Sequence, residues 1–137
     1  MLLERYKHKI KTLDEIKVSI GDRERLNKVV MCQGCFDIVH PGHIRHFIYA
    51  KKYAPILVVA LTSDRFITKG KYRPHVPQDL RALNLAALEI VDFVLIEDAS
   101  RPDETIKCLQ PDFYAKGFEY DENQRDGRTI AETEVVK

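Results

Sequence analysis

Gly34-Cys35-Phe36-Asp37-Ile38-Val39-His40-Pro41-Gly42-His43 is the stretch on which the fold turns. Ahead of it, Lys28 to Gly34 carries the compact apolar run Val29-Val30-Met31, closed by glycine, and reads as a strand. Behind it, Pro41 suits the first turn of a helix. Ile44, Phe47 and Ile48 then recur at i, i+3 and i+4, an apolar stripe that carries the helix to about Tyr53. Pro55 introduces Ile56 to Leu61, a continuous aliphatic run without polar alternation, as expected of a strand covered on both faces of a parallel sheet. Strand, glycine loop, helix and strand make one βαβ unit.

Outward from this unit the alternation continues. Thr12-Leu13-Asp14-Glu15 has the form of a capping box, and the helix it opens ends near Gly21, so residues 1–27 read as an N-terminal helical extension. Between Thr62 and Pro77 lies a polar stretch too long and too charged for a minimal connection. Leu80, Leu83, Ala87 and Leu88 mark a helix to about Ile90, and Phe93 to Ile96 a strand. Pro102 starts a helix through Leu109, and Asp112 to Ala115 is a strand closed by Lys116 and Gly117. The remainder is polar, with one weak helical signal from Ile130 to Val136. The expected fold is α/β, a Rossmann-like doubly wound parallel sheet in a single domain, residues 28–137.

Composition narrows the function. With 137 residues, 45% of them apolar and 31% charged, the chain fits one globular domain with its own core. The apolar run Ile56 to Leu61 is six residues, where a membrane span needs about 20, and Glu4 and Arg5 interrupt any signal-peptide core, so a cytoplasmic protein with no membrane partner is expected. The 22 basic residues against 21 acidic ones leave a net charge of +1, which argues against nucleic-acid binding by counterion release. Any phosphate bound belongs to a small ligand.

In an open α/β sheet ligands sit beyond the carboxyl ends of the strands, where glycine loops lead into helix N-termini. Three clusters converge there: Gly34 to His46, Thr62 to Pro74 and Lys116 to Tyr120. Alternative readings of the first are weaker. Cys32-x-x-Cys35 straddles a strand end instead of opening a helix, as a redox pair would. Together with His40-x-x-His43 it leaves four residues between the pairs, where a zinc finger needs about twelve. No G-x-G-x-x-G follows the first strand, which disfavours a dinucleotide-binding oxidoreductase.

The spacing G-x-F-D-x-x-H-x-G-H resembles the signature of the cytidylyltransferase-like nucleotidyltransferases. Ser63-Asp64, Lys69-Gly70-x-x-Arg73-Pro74, Arg81, Ala87-Leu88-Glu89, Val91-Asp92 and Lys116-Gly117-x-x-Tyr120 are similar to the adenylyltransferase domain of ADP-heptose synthase. The resemblance covers about Leu13 to Tyr120. Cys32-Gln33 stand where that group usually has Thr-Asn, and Phe118-Glu119 where it has Gly-Asp. An Ile-Ser-(Ser/Thr)-(Ser/Thr) motif that binds triphosphate in the family is not found after Tyr120, so the expectation is a domain that stops short of it. The resemblance implies transfer of a nucleotidyl group from ATP, or alternatively CTP, to a sugar phosphate. For the ATP branch this is heptose 1-phosphate giving ADP-heptose; for the CTP branch, a polyol or sugar phosphate such as glycerol 3-phosphate. It also implies Mg²⁺ with the nucleotide, a homodimer, and a sugar kinase domain fused or paired. A nucleotide-binding module without turnover is the reading from another class.

Residue types and chemistry agree with this. The second pKa of a phosphate monoester is about 6, so at neutral pH the acceptor is already a nucleophile and catalysis reduces to alignment and charge neutralisation. His40, His43 and Lys69 are the expected catalytic residues. Gly34, Cys35, Phe36, Gly42, Arg73, Lys116, Gly117 and Tyr120 are expected around nucleotide and phosphates, and Asp37, Asp64 and Arg81 at the acceptor. His46, one turn beyond His43, is left on the surface, and His75 has no assigned role.

Overall fold

The computed structural model describes residues 2–67, 70, 73–116 and 129–131. Two short helices, α1 (Leu2–Lys7) and α2 (Leu13–Ile20), precede β1 (Val29–Gly34). Then follow α3 (Pro41–Ala50), β2 (Ile56–Thr62), a 3₁₀ turn over Asp64–Phe66 and α4 (Gln78–Ala86). The chain continues through β3 (Phe93–Glu97), α5 (Asp103–Leu109), β4 (Phe113–Lys116) and β5 (Thr129–Ala131). The sheet has the order β3-β2-β1-β4-β5, every pairing parallel. Successive strands step outward from β1 to β3 and then return to the other side of β1 with β4. The order therefore reverses between β1 and β4, the place where open α/β sheets bind ligands.

Parallel strands buried on both faces need apolar side chains on both, and β2 supplies them: Leu57, Val58, Val59, Ala60 and Leu61 have no exposed surface. On one face Val30, Leu57 and Val59 meet Phe47 and Ala50 of α3 and Leu85 and Ala86 of α4. On the other, Val29, Met31 and Val58 meet Ile16 and Ile20 of α2 and Leu109 of α5. The N-terminal helical stretch thus contributes core: Thr12 and Glu15 form the reciprocal capping box of α2, and Ile10 bridges to Val94 beside β3.

Three elements depart from the sequence-based expectation, the first being α3, which ends at Ala50 instead of about Tyr53. α4 ends at Ala86 instead of Ile90, because the chain must turn for Asp92 to exchange hydrogen bonds with the start of β2: its N–H donates to the Leu57 carbonyl and its carboxylate accepts from the Leu57 N–H at 2.7 Å. Ile130 and Ala131, placed in a weak helical pattern, pair instead with Ala115 and Lys116 as strand β5. The open edge of β4 offers backbone partners that outweigh a marginal helical signal.

Candidate active site

β1 ends at Gly34, and the chain crosses to α3 through a loop that the side chains themselves brace. Phe36 sits at φ +50° with its ring folded back over Gly34, where an added Cβ would lie 3.0 Å from the ring. The buried Phe36 ring then packs edge-on against His43, centroids 5.1 Å apart, and against Phe47 at 5.5 Å. Phe36 is a floor under the loop.

At the start of α3 the two histidines cap the helix for each other. The Gly42 N–H donates to His40 Nδ1 at 3.1 Å, and the His40 N–H donates to His43 Nδ1 at 3.3 Å. Their rings stack with centroids 3.9 Å apart. This is the geometry of a capping box with imidazoles in place of hydroxyl and carboxylate. Since each Nδ1 accepts from the backbone, the proton of each neutral ring lies on Nε2. The first turn of α3 holds no acidic residue to offset the positive end of the helix dipole. Gly42 leaves room for the capping ring: a Cβ there would stand 2.8 Å from His40 Cε1.

Behind the histidines, Asp37 ties the loop to residues 73–76. One carboxylate oxygen accepts from the Val76 N–H at 2.9 Å, the other from the His75 N–H at 2.9 Å and from Arg73 Nε at 2.8 Å. Burial pushes this carboxyl up, but the two N–H donors and the guanidinium outweigh it and hold it below its ordinary range. Asp37, expected to face the acceptor, has its oxygens taken up by its own chain.

Arg81 has no exposed surface, and four of its five N–H bonds are accounted for. They go to the carbonyls of Val76, Cys35 and Thr62, each at 2.8 Å, and to Asp64 at 2.6 Å. The expectation that Arg81 meets the acceptor is corrected: a guanidinium enclosed by three carbonyls and a carboxylate braces the strand ends against the 73–76 loop. Asp64 is its half-exposed partner and also accepts from the Gln78 N–H at 3.3 Å, while its own N–H donates to Gln78 Oε1.

Cys35 is half-buried, with its carbonyl given to Arg81. Burial pushes the Cys32 thiol up to about 12, away from thiolate chemistry. Lys116 closes β4 at the point of strand reversal. Lys69, Gly117 and Tyr120 lie outside the described residues. His46 is buried beside Phe47 instead of lying on the surface. Sequence reasoning also missed the ledge beyond β2 and β3, where Asp98 accepts from Ser63 Oγ at 2.8 Å and bidentately from Arg65. An acid and a base just past two strand ends were the available signal.

The family model described as cytidylyltransferase-like matches residues 31–134, which include the last four residues of β1, the histidine-capped helix and the strand-reversal point. The chain belongs to this family. It is 38% identical over 134 residues to the bifunctional protein HldE of Campylobacter curvus (strain 525.92), covering 96% of this chain and 27% of that protein. The protein of the same name from Campylobacter fetus subsp. fetus (strain 82-40) is 42% identical over 96% of this chain and 28% of its own length. This family member therefore spans little more than a quarter of the length of these curated relatives. Among solved structures, the lipopolysaccharide core biosynthesis protein from Thermoplasma volcanium GSS1 superposes with a TM-score of 0.63 at 29% identity. That likeness covers 72% of this chain and 82% of the other.

Proposed function

We propose that the domain transfers a nucleotidyl group from a nucleoside triphosphate, ATP first, to the phosphate of a sugar 1-phosphate, heptose 1-phosphate in particular, giving ADP-heptose and pyrophosphate. The observation that carries this reading is the reciprocal His40–His43 cap at the positive end of α3, above the carboxyl edge of a parallel sheet. An oxygen of the acceptor phosphate attacks the α-phosphorus, the bond from that phosphorus to the β-bridging oxygen breaks, and the electron pair leaves with pyrophosphate. His40 and His43 Nε2–H groups meet the charge that grows on the leaving oxygens. Lys69 and the outer nitrogens of Arg73 add positive charge from the loop, and Lys116, Gly117 and Tyr120 line the nucleoside side. Asp37, Asp64 and Arg81 position the loops that carry these groups.

The nucleotide enters as its Mg²⁺ complex. Asp37 and Asp64 direct their oxygens to protein donors, so the ion is carried by phosphate oxygens as part of the substrate. The HldE relatives support heptose as the sugar, and their greater length fits a sugar kinase, fused or separate, that supplies the acceptor phosphate. The same reading makes the enzyme a cytoplasmic homodimer. Pyrophosphate release with ATP and CTP crossed against heptose 1-phosphate and glycerol 3-phosphate tests it: turnover is expected with ATP and the heptose phosphate, and release from CTP alone reassigns the base.

A further inference from the structure

Away from the phosphate site, the sheet carries a polar row across three strand ends. Gln33, Thr62 and Glu97 stand near the carboxyl ends of β1, β2 and β3 on the face covered by α2 and α5. Thr62 and Glu97 are register partners, and Gln33 Nε2 donates to Thr62 Oγ1 at 2.9 Å. Continuing the β1–β4 register one residue past Cys32–Ala115 sets Gln33 beside Lys116. The row therefore runs from the interior, where Glu97 and Thr62 are buried, to the point of strand reversal, where Gln33 is half-buried.

A carboxamide has two N–H donors on one branch and an oxygen with two lone pairs on the other. Thr62 Oγ1 takes the nitrogen branch. Beyond it stands the buried Glu97 carboxylate, which the Gln33 amide and the Thr105 hydroxyl both help to hold, so it too favours a donor on that side. The amide orientation is thereby set, and Oε1 remains as an acceptor at the rim of the crevice. An acceptor held in place at a ligand crevice selects for a donor on the ligand, and of the groups a nucleotide or a sugar phosphate brings, hydroxyls are the most numerous.

We propose that Gln33 is a specificity-determining contact whose Oε1 accepts a hydrogen bond from a sugar hydroxyl, with Thr62 as the positioning residue that fixes its amide. The proposal rests on the reading that this crevice joins a nucleotide to a sugar phosphate. Both ligands carry such hydroxyls, on the ribose of one and the acceptor ring of the other.

Equilibrium titration of the whole chain separates the two sources. The probes are ATP with its 2′-deoxy and 3′-deoxy analogues, and heptose 1-phosphate with its 2-deoxy analogue. Gln33→Ala is expected to weaken one hydroxyl-bearing ligand about tenfold and to bind it no better than its deoxy analogue. Thr62→Val is expected to move the same ratio in the same direction by about threefold, a change that loss of packing alone does not make specific to one hydroxyl. A response in the ATP series assigns the ribose; a response in the heptose series assigns the acceptor. Wild-type discrimination retained on every ligand in both variants, or no discrimination in the wild type, overturns the proposal. If discrimination is lost as expected but the wild type releases no pyrophosphate, the transferase reading fails while the Gln33 contact stands.

Discussion

His43 Nδ1 accepts the backbone N–H of His40 while the two rings lie stacked 3.9 Å apart, so the His40 backbone fixes the His43 tautomer, the Gly42 N–H fixes that of His40, and the stacked rings hold each other's aim. Replacing either ring removes one aimed donor and loosens the second. His40→Ala and His43→Ala are each expected to lower kcat by about 10² to 10³, with nucleotide affinity changed by less than about tenfold. Steady-state kinetics beside direct nucleotide titration check this split. Equal losses in both quantities assign the rings to ground-state binding instead.

Gly42→Ala separates catalysis from stability. Alanine is favoured over glycine in a helix by up to about 1 kcal/mol, so helix propensity alone predicts a neutral or stabilised protein. The new Cβ, 2.8 Å from His40 Cε1 and 3.0 Å from its Nδ1, displaces the capping ring. The expected result is a kcat at least about tenfold lower at nearly unchanged melting temperature.

Arg81→Met leaves the buried carbonyls of Cys35, Thr62 and Val76 without their donor. A loss of roughly 2–4 kcal/mol is expected in urea unfolding. Asp64→Asn, at the half-exposed end of the pair, is expected to cost only about 1 kcal/mol. Comparable losses for the two variants contradict the view of Arg81 as a brace held chiefly by carbonyls.

Two buried carboxyls respond to pH with opposite signs. Burial raises Glu97 above its ordinary value of 4.5, and Asp103 adds to the rise, while the Thr105 hydroxyl and the Gln33 amide oppose it. Its favourable contribution is complete below 4.5 and is lost as pH rises through the folded value, so Glu97→Gln gains on the wild type on the alkaline side. Asp37 lies below its ordinary 3.8, so its contribution is present above that value and is lost as pH falls through the folded one. The stability gap between wild type and Asp37→Asn closes in acid. Melting temperatures of the three proteins across pH check both signs, and gaps independent of pH contradict them.

The fold was legible where patterns were local. The aliphatic run Ile56–Leu61 carries its own reading as a buried parallel strand, and Thr12-x-x-Glu15 its reading as a helix start. β5 was not legible, because three residues carry almost no pattern and pair only once β4 exists. The His40–His43 loop is contiguous in sequence, so its strand, turn and helix could be read together. The bracing role of Arg81 was not legible, because the sequence does not show which backbone carbonyls converge on the guanidinium. Its partners lie five to 46 residues away and only the tertiary structure assembles them. Asp37 is the same case, its donors coming from residues 38 and 39 positions on.

The central claim is nucleotidyl transfer at the histidine-capped helix, and the most direct test is pyrophosphate release by wild type and His40→Ala with Mg²⁺, ATP and heptose 1-phosphate. The account predicts stoichiometric pyrophosphate and ADP-heptose from the wild type and a rate lower by about 10² or more from the variant. Nucleotide bound by the wild type without pyrophosphate release, with either ATP or CTP, would contradict it.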